Sequence, residues 1–253
     1  MKKTHRYISI IVLVSCSVFA VLASCRKYLD DSINGKNVDL VCTLDITGGC
    51  FDQWELVGDG SGNYCLEPAG EYLRTLNYLT TLPSAAGGPG PLTTDSTSDA
   101  YSGTHAALLT TKSFSPMGTP LIIPGLVGTD SLDISIQNIR LGKRYTLRPT
   151  YFEGYYKYVP VGGDSALISV LLSKYNSGLH KRDTIGFAKR IYKNKVVNYN
   201  QILLPITYFK TETPDSLTLL ICSSAGINFN DVMNCKGQVG SQLWIDEISF
   251  IMP

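Results

Sequence analysis

The 253-residue chain is short of charge, of histidine and of tryptophan, and each shortage removes a class of function. Charged residues make up 17% and the formal net charge is +1, with no basic stripe, so no nucleic-acid partner is expected. Three histidines, and cysteines that never fall into paired Cys-x-x-Cys spacings, point away from zinc. No Gly-x-Ser-x-Gly elbow, His-Glu-x-x-His helix or phosphate loop occurs. The glycine-rich Gly58-Asp59-Gly60-Ser61-Gly62 reads as a turn. A glycosidase needs two carboxylates across a cleft, and Glu153, Asp164, Asp183 and Glu247 are available acids without a pattern that pairs them. Helical periodicity beyond a turn or two is missing, and so are internal repeats. The expectation is a binding module and not an enzyme.

What is present begins at the N-terminus. Lys2, Lys3 and Arg6 precede an apolar run over 7–23 that closes on Leu22-Ala23-Ser24-Cys25. A basic segment, an apolar segment and a small-residue end describe a secretory signal. The run also approaches the length of a membrane span, so an uncleaved anchor is the alternative. Leu-Ala-Ser-Cys resembles the lipobox of bacterial lipoproteins, which implies cleavage before Cys25 and acyl chains on that cysteine. Residues 1–24 are then a signal peptide, 25–40 a lipidated tether and 41–253 one domain at the cell envelope. An outer-membrane location is expected. Asp30-Asp31 resembles a surface-export signal, but Arg26-Lys27 intervenes and the leaflet stays open. Cleavage leaves 19 basic groups (22 − 3) against 21 acidic ones.

Seven cysteines fall to five once Cys16 leaves and Cys25 is acylated. Cys222 and Cys235 are candidates for a disulfide in an oxidising compartment. Pairing among Cys42, Cys50 and Cys65 stays open, with one thiol left over, so the core must supply most of the stability.

Short apolar runs separated by Gly, Pro, Asn and Asp fill the remainder, at 106–111, 131–139, 165–172, 183–188, 201–208, 216–222 and 242–251. That spacing predicts an all-β, antiparallel sandwich or barrel. The Pro-, Gly-, Ser- and Thr-rich stretch 83–99 reads as a mobile surface loop. In the last run Leu243 and Ile245 oppose Trp244 and Asp246, while strict alternation would put Ile248 and Phe250 on the Trp244 side. A bulge near Asp246–Glu247 is therefore expected.

These residues carry a family likeness. Gly240-Ser241-Gln242-Leu243-Trp244-Ile245-Asp246-Glu247-Ile248 resembles the last strand of jelly-roll carbohydrate-binding domains. Tyr101-Ser102-Gly103-Thr104-His105-Ala106-Ala107-Leu108 resembles one of their early strands. Arg148-Pro149, Gly154-Tyr155-Tyr156-Lys157-Tyr158, Gly163-Asp164 and Ser223-Ser224 are similar to the "putative carbohydrate metabolism domain" of lipoproteins from saccharide-foraging Gram-negative bacteria. The likeness runs from 101 to 251. Upstream it rests on Phe51-Asp52, Trp54 and Glu71-Tyr72. It implies a jelly-roll β-sandwich and a polysaccharide or glycan ligand, held without cleavage for saccharide capture. The competing classes are a structural or adhesive lipoprotein with an envelope-protein partner, and an accessory glycoside hydrolase.

Sugar platforms need exposed rings flanked by polar groups. Alternation over 151–158 places Tyr151, Glu153, Tyr155 and Lys157 on one face, as a platform requires, and Phe152, Gly154, Tyr156 and Tyr158 on the other, as core. The bland alternative for the first set is an ordinary solvated face. Trp54 and Trp244 are further candidates, though a strand tryptophan is more often core. The jelly-roll likeness also implies a structural calcium at Asp246, with Glu67 and Asp45 as conceivable co-ligands; the alternative is a hydrogen-bonded structural acid. No other cofactor is expected. Asp-Ser or Asp-Thr steps at Ser32, Ser96, Ser131, Ser165, Thr184 and Ser216 resemble an O-glycosylation motif, and equally suit turn chemistry.

Overall fold

A computed structural model describes residues 42–43, 46, 48–58, 64–70, 72–77, 80, 90–115, 118, 120–129, 142–228 and 234–253. The signal segment, Cys25, the tether, Asp45, residues 83–89 and the run at 131–139 lie outside them, as do Ser32 and Ser131. The chain divides into two compact units, Met1–Cys42 and Thr43–Pro253, and the sandwich belongs to the second.

Seventeen strands are found among the described residues, beginning with the two-residue β1 (Cys42–Thr43). The front sheet runs β14 (Val196–Pro205), β11 (Tyr151–Val159), β17 (Gln242–Ile251), β6 (Ala106–Thr110), β5 (Thr94–Thr97). The rear sheet runs β15 (Thr207–Tyr208), β13 (Lys181–Tyr192), β12 (Ala166–Asn176), β16 (Ser216–Cys222), β9 (Leu126–Thr129), β4 (Leu73–Thr75). A short β10 (Lys143–Arg144) also pairs with the start of β16. Two hairpins complete the set, β2 (Trp54–Gly58) with β3 (Tyr64–Pro68), and β7 (Lys112–Phe114) with β8 (Leu121–Ile123). The strand pairings are antiparallel. The architecture is the expected antiparallel β-sandwich of jelly-roll type.

Side-chain period decides which face each strand buries. On β11, Phe152, Tyr156 and Tyr158 enter the core between the sheets, where Phe152 meets Phe250 edge-on at 5.6 Å. Truncating such a buried ring typically costs about 3–5 kcal/mol. On β16 the run is nearly continuous because both faces are covered. Leu217, Leu219 and Ile221 face the sandwich core, while Leu220 and Cys222 join a second apolar cluster with Leu126 and Leu167. The β8 residues Leu121 and Ile123 belong to that cluster, so the β7–β8 hairpin covers part of the rear sheet's outer face.

Three expectations change. The stretch 83–99 is not all loop: β5 pairs along β6 from Thr94↔Leu109 to Thr97↔Ala106, and Thr94 is fully buried. Its threonines are β-branched and suit a strand, which the low-complexity composition concealed. The run at 201–208 is two strands, β14 ending at Pro205 in the front sheet and β15 resuming in the rear one. Cys222 and Cys235 are both thiols with no bond between their sulfurs. Cys222 packs as an apolar side chain, and burial, helped by the neighbouring Cys235, holds its pKa well above the usual range.

Candidate functional site

The β17 bulge sits where alternation requires it. Glu153 pairs with Ser249 and Tyr155 with Asp246, so two β17 residues, Glu247 and Ile248, stand against Gly154 alone. Glu247 takes φ +50°, the left-handed conformation that L-residues seldom adopt. Gly154 accommodates the extra residue because a Cβ there would lie 2.8 Å from Ile248 Cγ2. The bulge returns Ile248 and Phe250 to the core and leaves Trp244, Asp246 and Ser249 on the front sheet's outer face with Glu153, Tyr155 and Lys157.

That face is not bare. The β5–β6 connection, residues 98–105, is laid across it and tied down by two acids. Asp246 Oδ2 accepts the amides of Tyr101 (2.7 Å) and Ser102 (3.1 Å), and its Oδ1 accepts that of Glu247 (2.9 Å). Asp52 Oδ1 accepts Thr104 N (2.5 Å), Thr104 Oγ1 (3.1 Å) and His105 N (3.0 Å). Gly103, at φ +67°, is needed for this fit, since a Cβ would stand 2.3 Å from both Asp52 oxygens.

The segment delivers Tyr101 onto Tyr155. Their rings stack at 3.6 Å between centroids and 10° between planes, and Tyr199 of β14 meets Tyr101 edge-on at 5.8 Å. Beneath them Lys157 pairs with Asp99, and its ammonium lies 4.6 Å from the Tyr199 ring centre and 5.0 Å from that of Trp244. The Tyr199 hydroxyl donates to Asp99 O at 2.6 Å. Of the predicted platform, then, Tyr155, Lys157 and Trp244 gather in one aromatic ledge. Tyr155 has one ring face taken by Tyr101, and Lys157 is buried. Tyr151 stands farther along β11, exposed. Glu153 accepts Ser249 Oγ at 2.9 Å. Trp54 is separate: it packs against the core and donates its indole N–H to Phe51 O at 2.8 Å. Tyr101, Tyr199 and Asp99 were not singled out from the sequence. Tyr199 lies in a polar stretch of β14, and Tyr101 in a connection whose path only the folded sheet sets.

The acids under the ledge carry raised pKa values. Burial pushes Asp246 up to about 6, against the pull of its amide donors. Burial, with Asp246 and Asp52 beside it, pushes Glu247 up to about 7. Glu153 is raised by burial, with Ser249 pulling the other way. As for calcium, the Asp246 oxygens are met by amide hydrogens, and no group of three or more His, Cys, Asp or Glu able to hold a metal occurs among the described residues. Glu67 is engaged elsewhere, accepting Thr75 N at 2.7 Å and Thr75 Oγ1 at 2.9 Å. Asp45, the other conceivable ligand, lies outside the described residues. Two Asp-Ser steps make local side-chain-to-amide bonds, Asp95 Oδ1 accepting Ser96 N within β5 and Asp164 Oδ1 accepting Ser165 N, each at 2.8 Å. Thr184 and Ser216 lie within β13 and β16.

No family model matches the chain, and no curated protein matches it in sequence. Solved structures do match in fold. A "putative glycoside hydrolase" from Bacteroides vulgatus aligns at TM-score 0.63 and 17% identity, over 80% of this chain and 96% of the other. A second, from Bacteroides thetaiotaomicron, aligns at TM-score 0.57 and 17% identity, over 89% of this chain and 70% of the other. Both likenesses are of fold: the chain shares their β-sandwich.

Proposed function

We propose that this protein is a cell-envelope lipoprotein that holds a glycan on the Tyr101–Tyr155–Tyr199 ledge without cleaving it. The observation that carries the reading is the ledge itself, three tyrosine rings fixed on the outer face of a sheet with Tyr101 still 36% exposed. Pyranose C–H faces stack on rings of this kind, and rings already held in place lose little freedom on binding. The carbohydrate setting of the two fold neighbours and the jelly-roll likeness of the sequence agree with it. Anchorage through Cys25 supplies location, since several acyl chains make a durable membrane attachment.

Affinity-gel electrophoresis of the full chain in detergent, across a panel of polysaccharides, tests the binding. Retention on at least one glycan that is lost in Tyr101→Ala supports the reading. No retention on any, with an envelope protein co-purifying, favours the adhesive class instead. Labelled palmitate incorporated by the native protein and absent from Cys25→Ser tests the anchor.

One feature favours a second reading, hydrolysis: burial, with Asp246 and Asp52 beside it, raises Glu247 to about 7, the range that suits a general acid. Turnover of a labelled glycan that disappears in Glu247→Gln supports it. No turnover by the native chain rules it out, and turnover that survives in that variant takes the acid's role away from Glu247.

A further inference from the structure

Away from the ledge, at the edge of the rear sheet, a cavity of about 380 Å³ is lined by Tyr72, Arg144, Tyr145, Thr146 and Leu147. We propose that it is a second saccharide site, one that takes an acidic sugar, a pyranose bearing a carboxylate or a sulfate. The proposal rests on the glycan-binding reading for its ligand class and on the cavity alone for its location.

Its walls are fixed by the sheet. Arg144 ends β10, whose ladder to β16 pairs Lys143 with Leu217 and Arg144 with Ser216. Gly142, just before, passes so close that a Cβ would lie 3.0 Å from Ser216 Oγ. Tyr145 donates its amide to Asp215 O at 3.2 Å and sets its buried ring 5.6 Å from Phe250 in the sandwich core. Tyr72 directly precedes β4 and packs on the same core from the neighbouring strand. A pocket built on core residues needs little reorganisation to accept a ligand, and its volume falls in the range of small-molecule sites.

The lining chemistry selects the ligand. Tyr72 supplies a ring, Thr146 a hydroxyl and Leu147 an exposed apolar lip. Arg144 lines the space, and the Lys143 ammonium stands 6.0 Å from the Tyr72 ring centre. Among the described residues no carboxylate lines it. Asp215, whose carbonyl holds Tyr145, commits its carboxylate to Arg182 and to Tyr175 N at 2.9 Å. Other cations are engaged: Lys157 with Asp99, Lys210 with Asp183, and Arg148 with the carbonyls of Glu212 and Lys210. Among the described residues Arg144 makes no ion pair. A guanidinium fork matches a planar carboxylate or a sulfate, two hydrogen bonds at a time. A ring, a fork and a hydroxyl around a sugar-sized space are the parts needed to hold such a residue.

The test uses the full chain with polygalacturonate, dextran sulfate and neutral dextran as probes, measured by affinity gel and titration calorimetry. Binding to an acidic polymer that weakens about tenfold or more in Arg144→Ala, as loss of a charge-assisted pair predicts, supports the site. Lys195→Ala, which removes an exposed cation between β13 and β14, must leave that binding unchanged; equal loss in both variants means general charge attraction and overturns the proposal. Competition by free galacturonate or by glucose 6-sulfate tells which anion is read, and equal competition by glucose also overturns it. Tyr101→Ala separates the two sites. If it abolishes neutral-glycan binding while Arg144→Ala binds every probe like the native chain, the ledge stands and the cavity falls. If acidic binding depends on Arg144 and is indifferent to Tyr101, the cavity stands and the ledge falls.

Discussion

The ledge on the front sheet and the cavity at the edge of the rear sheet are built on opposite principles. At the ledge, polar groups answer one another: Asp246 and Asp52 take the amides of residues 101–105, Asp99 takes Lys157, and Tyr101 covers Tyr155. At the cavity, an arginine lines open space, and among the described residues no acid lines it. A satisfied network holds shape and adds stability, whereas a group held ready for a ligand contributes to stability only when that ligand is bound. The two regions therefore differ in what a substitution there does to the unliganded protein.

Asp246→Ala carries the largest expected effect. It leaves three amide hydrogens without their acceptor in a fully buried position, at a cost of about 3 kcal/mol. Urea unfolding measures it, and proteolytic nicking within 98–105 should rise with it. A native-like midpoint would show that the connection is held by something else.

The acids beneath the ledge set a pH dependence. Burial raises Asp246 from 3.8 to about 6 and, with Asp246 and Asp52 near it, raises Glu247 from 4.5 to about 7. The folded state keeps protons that the unfolded chain has already released, so their contribution is full below about pH 4. It falls as pH rises toward 7 and then levels off. Thermal melts from pH 4 to 8 should show this slope, and Glu247→Gln should flatten its upper part. An unchanged slope in that variant would place the raised pKa elsewhere.

Tyr101→Ala removes the stacked ring and is expected to cost about 1 kcal/mol in the absence of ligand. Arg144→Ala, at the cavity, should move stability by less than about 0.5 kcal/mol, as an exposed side chain with no ion pair among the described residues does. Equal losses in these two variants would erase the distinction between a self-satisfied face and a ready one.

Much of the front sheet was legible because period 2 is a local property. The run 151–158 sorted its core and outer faces correctly, and the mismatch between Leu243–Ile245 and Ile248–Phe250 predicted the bulge. The expectation of an open platform at Tyr155 and Lys157 did not hold, since Asp99 and Tyr101 arrive from the β5–β6 connection. The strand within 83–99 was hidden by composition, and the split at 201–208 by an apolar run that continues through a change of sheet. The cavity had no signature at all, because Tyr72 and Arg144 are far apart in sequence and meet only in the folded sheet, where β4 pairs with β9 and β10 with β16.

The sequence by itself determined that the domain is an all-β, antiparallel sandwich or barrel and which residues of its long strands face inward, for alternation is written residue by residue. It also carries a basic and then apolar N-terminal run that closes on Cys25. Only the tertiary structure decided that Tyr155 is capped by Tyr101, that Asp246 holds a crossing segment by its amides, and that Arg144 opens onto a cavity. The physical reason is the same in each case. Which side of a strand a residue takes is set by its immediate neighbours, but what covers that side is set by chain that returns from elsewhere, and sheet pairing alone brings it there.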